Sequence, residues 1–244
     1  MTWLVTGGVG YIGAHVVRAF LAEGIEPVVL DDLSSGHREF VPDGVTFVEG
    51  QVQDTQLLRE TMRDLDVEGV MHIAGYKYAG VSVTKPLHTY SQNVQGTASV
   101  LEAMNDAGVH KIVFSSSAAV YSTPDVDLVT EGCELHPESP YGESKLIGEW
   151  LIADQAKALS MTEGRELQPV YNLGSGDGLS VRQIMDAMQR GTGHSFEPVI
   201  GERRAGDPAR IVADGSAAAR DIDWRMRHDI DQMVTSAWQA RTAH

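Results

Sequence analysis

Cysteine is almost absent from this chain. Cys133 stands alone among 244 residues, so no disulfide can form within one copy, and a reducing compartment is the expected setting. Basic residues are scarce as well: 19 against 34 acidic ones, for a formal net charge of −15. Such a surface repels polyanions, which excludes nucleic acid and anionic membranes as general partners. An anionic ligand would need local basic groups or backbone N–H groups to hold it. No apolar run approaches the roughly 20 residues that span a bilayer. The first residues read as a strand, not as a basic leader followed by an apolar core. A cytoplasmic chain with no membrane partner is expected, and no metal ligand set. Repeats and low-complexity linkers are also missing. The length suffices for one large domain, or a domain with a small appendage, to bury a core.

What is present is alternation. A short apolar run at residues 2–6 reads as a strand, and so do 27–30, 45–49, 69–75 (running into a loop), 111–114 and 170–173. Between them lie helical patterns at 54–65, from Pro86 through Met104 with Gly108 as C-cap, and from Pro140 to about Leu159. Ser180 reads as the N-cap of a helix carrying Ile184, Met185 and Met188, and a last helix is expected over 229–240. Apolar strands alternating with helices predict an α/β fold, a doubly wound parallel sheet covered on both faces.

The first strand runs into Gly7, Gly10 and Gly13. A strand, a tight turn and a helix N-terminus make a phosphate cradle. Gly7 permits the turn, Gly10 lets backbone approach a pyrophosphate, and Gly13 lets the helix pack closely. The second strand ends in Asp31-Asp32. An acidic side chain there is placed to take the ribose hydroxyls of an adenosine, which favours NAD over NADP. His37 and Arg38 just beyond keep NADP open.

A second constellation carries chemistry. Tyr141 and Lys145 are four apart near a helix start, so they share a face. A phenol is a poor base, with an unperturbed pKa of about 10, but a neighbouring ammonium favours its anion. The pair is suited to taking the proton of a sugar or alcohol hydroxyl. Ser117 falls at the carboxyl end of the fifth strand, where such folds bind ligands, and its hydroxyl can bridge a substrate oxygen to the tyrosine.

These segments carry a resemblance. The chain resembles the extended short-chain dehydrogenase/reductases, the NAD-dependent epimerases and dehydratases, at Thr6-Gly7-Gly8-Val9-Gly10-Tyr11-Ile12-Gly13, at Leu30 through Arg38 and at Ile73-Ala74-Gly75-Tyr76-Lys77. It does so again at Asn93-Val94-Gln95-Gly96-Thr97, Ser115 through Tyr121, Tyr141-Gly142-Glu143-Ser144-Lys145, Tyr171 through Gly176 and Arg203 through Pro208. The resemblance implies a Rossmann domain over 1–159. It implies a remnant of the substrate region over 160–244, which would add one sheet strand. It implies a tightly held NAD and a nucleotide-sugar substrate (UDP-glucose or UDP-galactose, interconverted by transient oxidation at C4). It also implies a homodimer through helices at 86–107 and 140–159. The implied cofactor residues are Gly7, Gly10, Tyr11, Ile12, Gly13, Asp31, Asp32, Leu33, Ser34, Ser35, Gly36, Gln51, Val52, Ile73, Ala74, Gly75, Lys77 and Asn93, with Tyr141 and Lys145. Ser117, Tyr141, Arg204 and Asp207 would meet the substrate, the arginine through its bidentate fork.

The chain departs from the family in two places, at residue 51 and after residue 159. Gln51 replaces the acid that meets the adenine. Ala118 and Ala119 stand where dehydratases carry an Asp-Glu pair, which argues against that reaction. After residue 159 the chain passes directly to Ser160-Met161-Thr162-Glu163-Gly164, so the family's sixth strand and the segments that grip uridine and sugar are missing. The expectation is that residues 170–173 pair beside 111–114 in the vacated slot, or else that a gap exposes apolar surface there. An epimerase, another nucleotide-sugar enzyme of the superfamily and a non-catalytic NAD-binding remnant all stay open.

Overall fold

The computed structural model describes residues 1–121, 123, 125–159, 168–202 and 208–242. Contacts divide the chain into two compact units. One is Met1–Ser117 with Ser139–Thr162; the other is Ala118–Glu138 with Glu163–His244. These boundaries fall at 117/118, 138/139 and 162/163, beside the single cut at 159/160 that the resemblance implies.

The first unit is a five-stranded parallel sheet with strands β1 (Thr2–Thr6), β2 (Glu26–Asp31), β3 (Thr46–Glu49), β4 (Val67–His72) and β5 (Ile112–Phe114). Their order is β3-β2-β1-β4-β5. The β-branched, apolar centres of β1, β2 and β4 are covered on both faces, and Leu4, Val5, Val29, Leu30 and Val70 are fully buried. Each such side chain contributes roughly 1.5–3 kcal/mol of burial. Helices α2 (Thr55–Asp64) and α5 (Gly96–Ala107) cover one face through Leu58, Met62, Val100 and Met104. Helix α1 (Tyr11–Ala22) covers the other through Val17, against Val5, Val9 and Val29. Strand order runs outward from β1 to β3, then reverses through β4. That puts a topological switch at β1 and β4, and ligands of such sheets bind outside the carboxyl ends of the strands at a switch.

Two features escaped the sequence pattern. A six-residue helix, α3 (Ala79–Thr84), follows the loop after β4. The long helix expected from Pro86 is broken into α4 (Pro86–Tyr90), a π-helical turn (Ser91–Gln95) and α5. A π-turn adds a residue per turn and marks functional positions; here it carries Asn93. Helix α6 (Pro140–Ala158) begins as read, with Ser139 as N-cap accepting from Gly142 N at 3.2 Å.

Residues 170–173 correct an expectation: they form no strand and do not enter the slot beside β5. They are held within the second unit by Asn172. Its N–H donates to Glu131 Oε1 (2.7 Å), its Nδ2 to Val129 O (2.9 Å), and its Oδ1 accepts from the Tyr121 hydroxyl (3.1 Å). Val129 in turn bridges Ala213 in parallel. Among the described residues β5 is therefore a sheet edge, and Val113 on it is 48% exposed. This is the gap outcome. The second unit also holds α7 (Val181–Thr192), α8 (Ser216–Ile222) and α9 (Ile230–Thr242). Helix α7 opens with a Ser180–Gln183 capping box and packs on α9, with an Arg190–Asp231 ion pair at 2.7 Å.

Candidate active site

The turn from β1 to α1 is built only for glycine. Gly7 has φ +75°, and a Cβ on it would lie 2.7 Å from Ala74 N; a Cβ on Gly13 would lie 2.1 Å from Gly7 O. Gly10 caps α1 without any side-chain hydrogen bond, and the first turn holds no acid. The N–H groups that open a helix and the positive end of its dipole are what an anion requires. By contrast, Asp54, Ser139 and Ser180 cap α2, α6 and α7 with their side chains. A Cβ on Gly10 would meet only Gly7 O, at 3.4 Å.

Asp31 organises this turn from β2. One carboxylate oxygen accepts from Val9 N at 3.2 Å, the other from Leu33 N at 2.9 Å. Burial pushes the carboxyl above its ordinary range, outweighing those two donors. An acceptor still short of donors suits a ribose diol. Leu33 sits at φ +58°, a left-handed conformation uncommon for a side-chain-bearing residue, and the Asp31 bond holds it there. Asp32 caps the same loop through Ser34 N at 3.0 Å. A Cβ on Gly36 would strike Val9 O at 2.6 Å, so the loop of Ser34, Ser35 and Gly36 folds back on the turn. The turn, the uncapped helix and the half-buried carboxyl fit a dinucleotide.

The chemical half lies at the carboxyl ends of β4 and β5. Lys145 is only 6% exposed; its Nζ donates to Ser115 O at 2.9 Å and lies 4.8 Å over the Phe114 ring. Burial lowers its pKa to about 8. Gly75, at φ +156°, keeps room for Asn93: a Cβ there would stand 2.9 Å from Asn93 Oδ1, and in ordinary contact, at 3.6 Å, with Lys145 Nζ. Tyr141 lies one turn before Lys145 on α6, half-buried, and Ser117 follows β5 by three residues. Asn93 is buried; its Oδ1 accepts from Tyr76 N at 2.6 Å, and its Nδ2 donates to Tyr76 O (3.1 Å) and Ser144 Oγ (2.8 Å).

Of the other residues singled out, Tyr11 and Ile12 are exposed on the first turn of α1, and Ile73 and Ala74 are half-buried with their N–H groups on Thr6 O. Gln51 is exposed, whereas Val52 turns into the core against Gly96. Lys77 is exposed on the loop after β4, 5.7 Å from the Tyr78 ring. Arg204 and Asp207 lie outside the described residues.

Sequence reasoning missed several buried polar residues. His72, at the end of β4, bridges Thr6 Oγ1 (2.7 Å) and Thr97 Oγ1 (3.1 Å). Burial, with the nearby Lys145 charge, lowers its pKa to about 3, so the ring is neutral. The Ser116 hydroxyl donates to Glu149, one turn beyond Lys145, and burial raises the Glu149 carboxyl. Only the four-residue spacing from Lys145 could have signalled Glu149.

The chain resembles known proteins along its whole length. It is 31% identical to UDP-glucose 4-epimerase of Lactobacillus helveticus over 323 aligned positions, covering 100% of this chain and 98% of that one. The enzyme of that name from Streptomyces lividans is 31% identical, with 99% and 96% covered. Because 323 positions are aligned to a chain of 244 residues, at least 79 positions face no residue of it. Among solved structures, UDP-glucose 4-epimerase from Bifidobacterium longum in complex with NAD+ and UDP superposes with TM-score 0.89 at 26% identity, covering 100% and 99% of the two chains. That of Thermus thermophilus in complex with NAD gives 0.87 at 26%, with 100% of each covered. The family model for NAD-dependent epimerases and dehydratases matches residues 3–200, and with the glycine turn, the acid ending β2 and the Tyr141–Lys145 pair in place, the chain belongs to the NAD dependent epimerase/dehydratase family.

Proposed function

We propose that this protein binds NAD and interconverts UDP-glucose and UDP-galactose. The carrying observation is the joint presence, within one compact unit, of the dinucleotide cradle and the buried Lys145 beside Tyr141. NAD, when bound, supplies the acceptor and donor of a hydride at the sugar C4. Gly7, Gly10 and Gly13 with the α1 N-terminus would hold its pyrophosphate, Asp31 its ribose, and Asn93, Lys77 and Lys145 its nicotinamide half. Tyr141 takes the proton of the sugar 4-hydroxyl and later returns it. Ser117 holds the same oxygen. Lys145 keeps a positive charge facing that oxygen. Arg204 and Asp207 would meet the nucleotide end of the substrate. A cytoplasmic homodimer paired through the helices at 86–107 and 140–159 completes this reading.

The test is direct. Purified protein is examined for bound-cofactor absorbance, then incubated with UDP-galactose while UDP-glucose is assayed. Turnover that disappears in Tyr141→Phe supports the proposal; bound NAD with no change in either sugar refutes it. A second reading, an NAD-binding chain without turnover, is favoured by the 79 or more aligned positions that this chain lacks.

A further inference from the structure

Helix α3 was invisible in the sequence, and it delivers one buried side chain to the reacting residue. Ser82 is 0% exposed. Its hydroxyl proton is committed to Ala79 O, at 2.5 Å. Its oxygen is thereby turned to accept from Tyr141 N, at 3.1 Å, across 59 residues of sequence. Tyr141 lies in the first turn of α6, where backbone N–H groups have no partner within the helix. Ser139 takes the N–H of Gly142. Ser82 takes that of Tyr141. On the other side, Ser144 Oγ donates to Tyr141 O at 2.7 Å, and Asn93 Nδ2 fixes Ser144. The backbone of Tyr141 is held at both its donor and its acceptor by buried hydroxyls.

We infer that Ser82 is a positioning residue for Tyr141. It ties the reacting phenol's backbone to the segment that leaves the Gly75–Lys77 loop, so that the loop beside the cofactor site and the start of α6 keep one register. A catalytic group displaced by an ångström loses up to about a hundredfold in rate, so one backbone anchor can matter to turnover without touching substrate. The inference rests on the proposed role of Tyr141 as proton acceptor.

The test uses the full chain as purified, with Ser82→Ala and the near-isosteric Ser82→Cys. Three quantities are read. The first is hydrogen exchange of the peptide containing the Tyr141 amide. The second is the rate at which an aryl sulfonyl fluoride labels Tyr141, followed by mass spectrometry, which needs neither substrate nor turnover. The third is kcat and KM on UDP-galactose. Ser82→Ala should speed exchange at Tyr141 about tenfold, the scale of one lost buried hydrogen bond. The Val70 amide, bonded to Lys111 O within the sheet, should keep its protection. Labelling of Tyr141 should slow, and kcat should fall about tenfold with KM unchanged. Ser82→Cys should lie between the two proteins. Labelling of Tyr141 at the wild-type rate in Ser82→Ala overturns the inference, and so does loss of protection at Val70 and Tyr141 together. Should the wild type leave UDP-galactose unchanged while labelling still slows in Ser82→Ala, the proposed reaction fails and the positioning role stands.

Discussion

Replacing Lys145 by Met should change how stability depends on pH in a way that isolates the buried ammonium. Burial holds its pKa at about 8 against an ordinary 10.5. At 1.36 kcal/mol per pKa unit, carrying the charge costs the folded, cofactor-free protein roughly 3 kcal/mol at pH 7. Methionine fills similar space without charge. It also abandons Ser115 O, which now receives Nζ at 2.9 Å, and an orphaned buried carbonyl costs about 1–3 kcal/mol. The two effects offset each other at neutral pH, so the stability there is a poor test and its pH dependence is a good one. Below pH 8 the lysine is charged in both folded and unfolded chains, and the full cost is present. Between about 8 and 10.5 the folded protein has released the proton while the unfolded chain still binds it, so stability rises with pH. Wild type should therefore gain about 2 kcal/mol on Lys145→Met between pH 7 and pH 10. Urea unfolding of both apoproteins at pH 7, 8.5 and 10, at fixed salt, reads the difference, in which all other titrations cancel. A gap that stays constant across this range would refute the reasoning. The variant should also lose turnover at every pH, because nothing replaces the cation beside Tyr141.

Other expectations are simpler. Tyr141→Phe should lower epimerase turnover about a hundredfold or more, the scale of a general base, with NAD content unchanged; undiminished kcat would send the proton elsewhere. Asp31→Asn should weaken NAD binding by roughly 1–3 kcal/mol, the worth of a hydrogen bond to a charged group, measured by calorimetry on apoprotein; tighter binding of NADP than NAD by wild type would contradict the role of Asp31. His72 is neutral when folded, with its pKa lowered from 6.5 to about 3. The unfolded chain therefore binds a proton that the fold refuses, and stability should fall as pH drops from 6.5 toward 3 more steeply in wild type than in His72→Gln; parallel acid-unfolding curves would count against it.

Local chemistry was legible in the sequence and distant chemistry was not. The β1–glycine–α1 turn declares itself because only glycine fits Gly7 and Gly13, and a Cβ at either meets backbone below 3 Å. Helix α6 declares itself through Pro140, and the Tyr141–Lys145 spacing puts the two side chains on one face. Residues 170–173 look like a strand by side-chain type. What decides their fate is Asn172, whose bonds to Glu131 and Val129 reach 41 and 43 residues back. Ser82 is one small polar residue in a short uncapped helix, and its meaning appears only where the chain returns 59 residues later. His72, between threonines 66 and 25 residues away, is the same case.

Among the described residues β5 is a sheet edge, in a chain that lacks at least 79 of the positions aligned to a relative. In the parallel ladder, Lys111 O accepts from Val70 and Ser115 N donates to His72. Odd-numbered residues of this strand thus face β4, and the backbone groups of Ile112 and Phe114 point outward. An open apolar edge invites association, but this one is three residues long and begins beside the exposed Lys111. Helix α6 does not depend on a further strand to hold it. Lys145 grips Ser115, Glu149 accepts from Ser116, and Gly148 lies against Phe114, where a Cβ would be 2.7 Å from the ring. The proposed acid–base residues and the dinucleotide turn therefore share one compact unit. By the resemblance, the missing segments would carry most of the residues that grip uridine and sugar. Their loss should fall on substrate affinity before it falls on NAD binding. The expected pattern is retained NAD with a KM for UDP-galactose above about 1 mM, the upper end of ordinary values. A purified chain that folds but holds no NAD would break this argument at its first step.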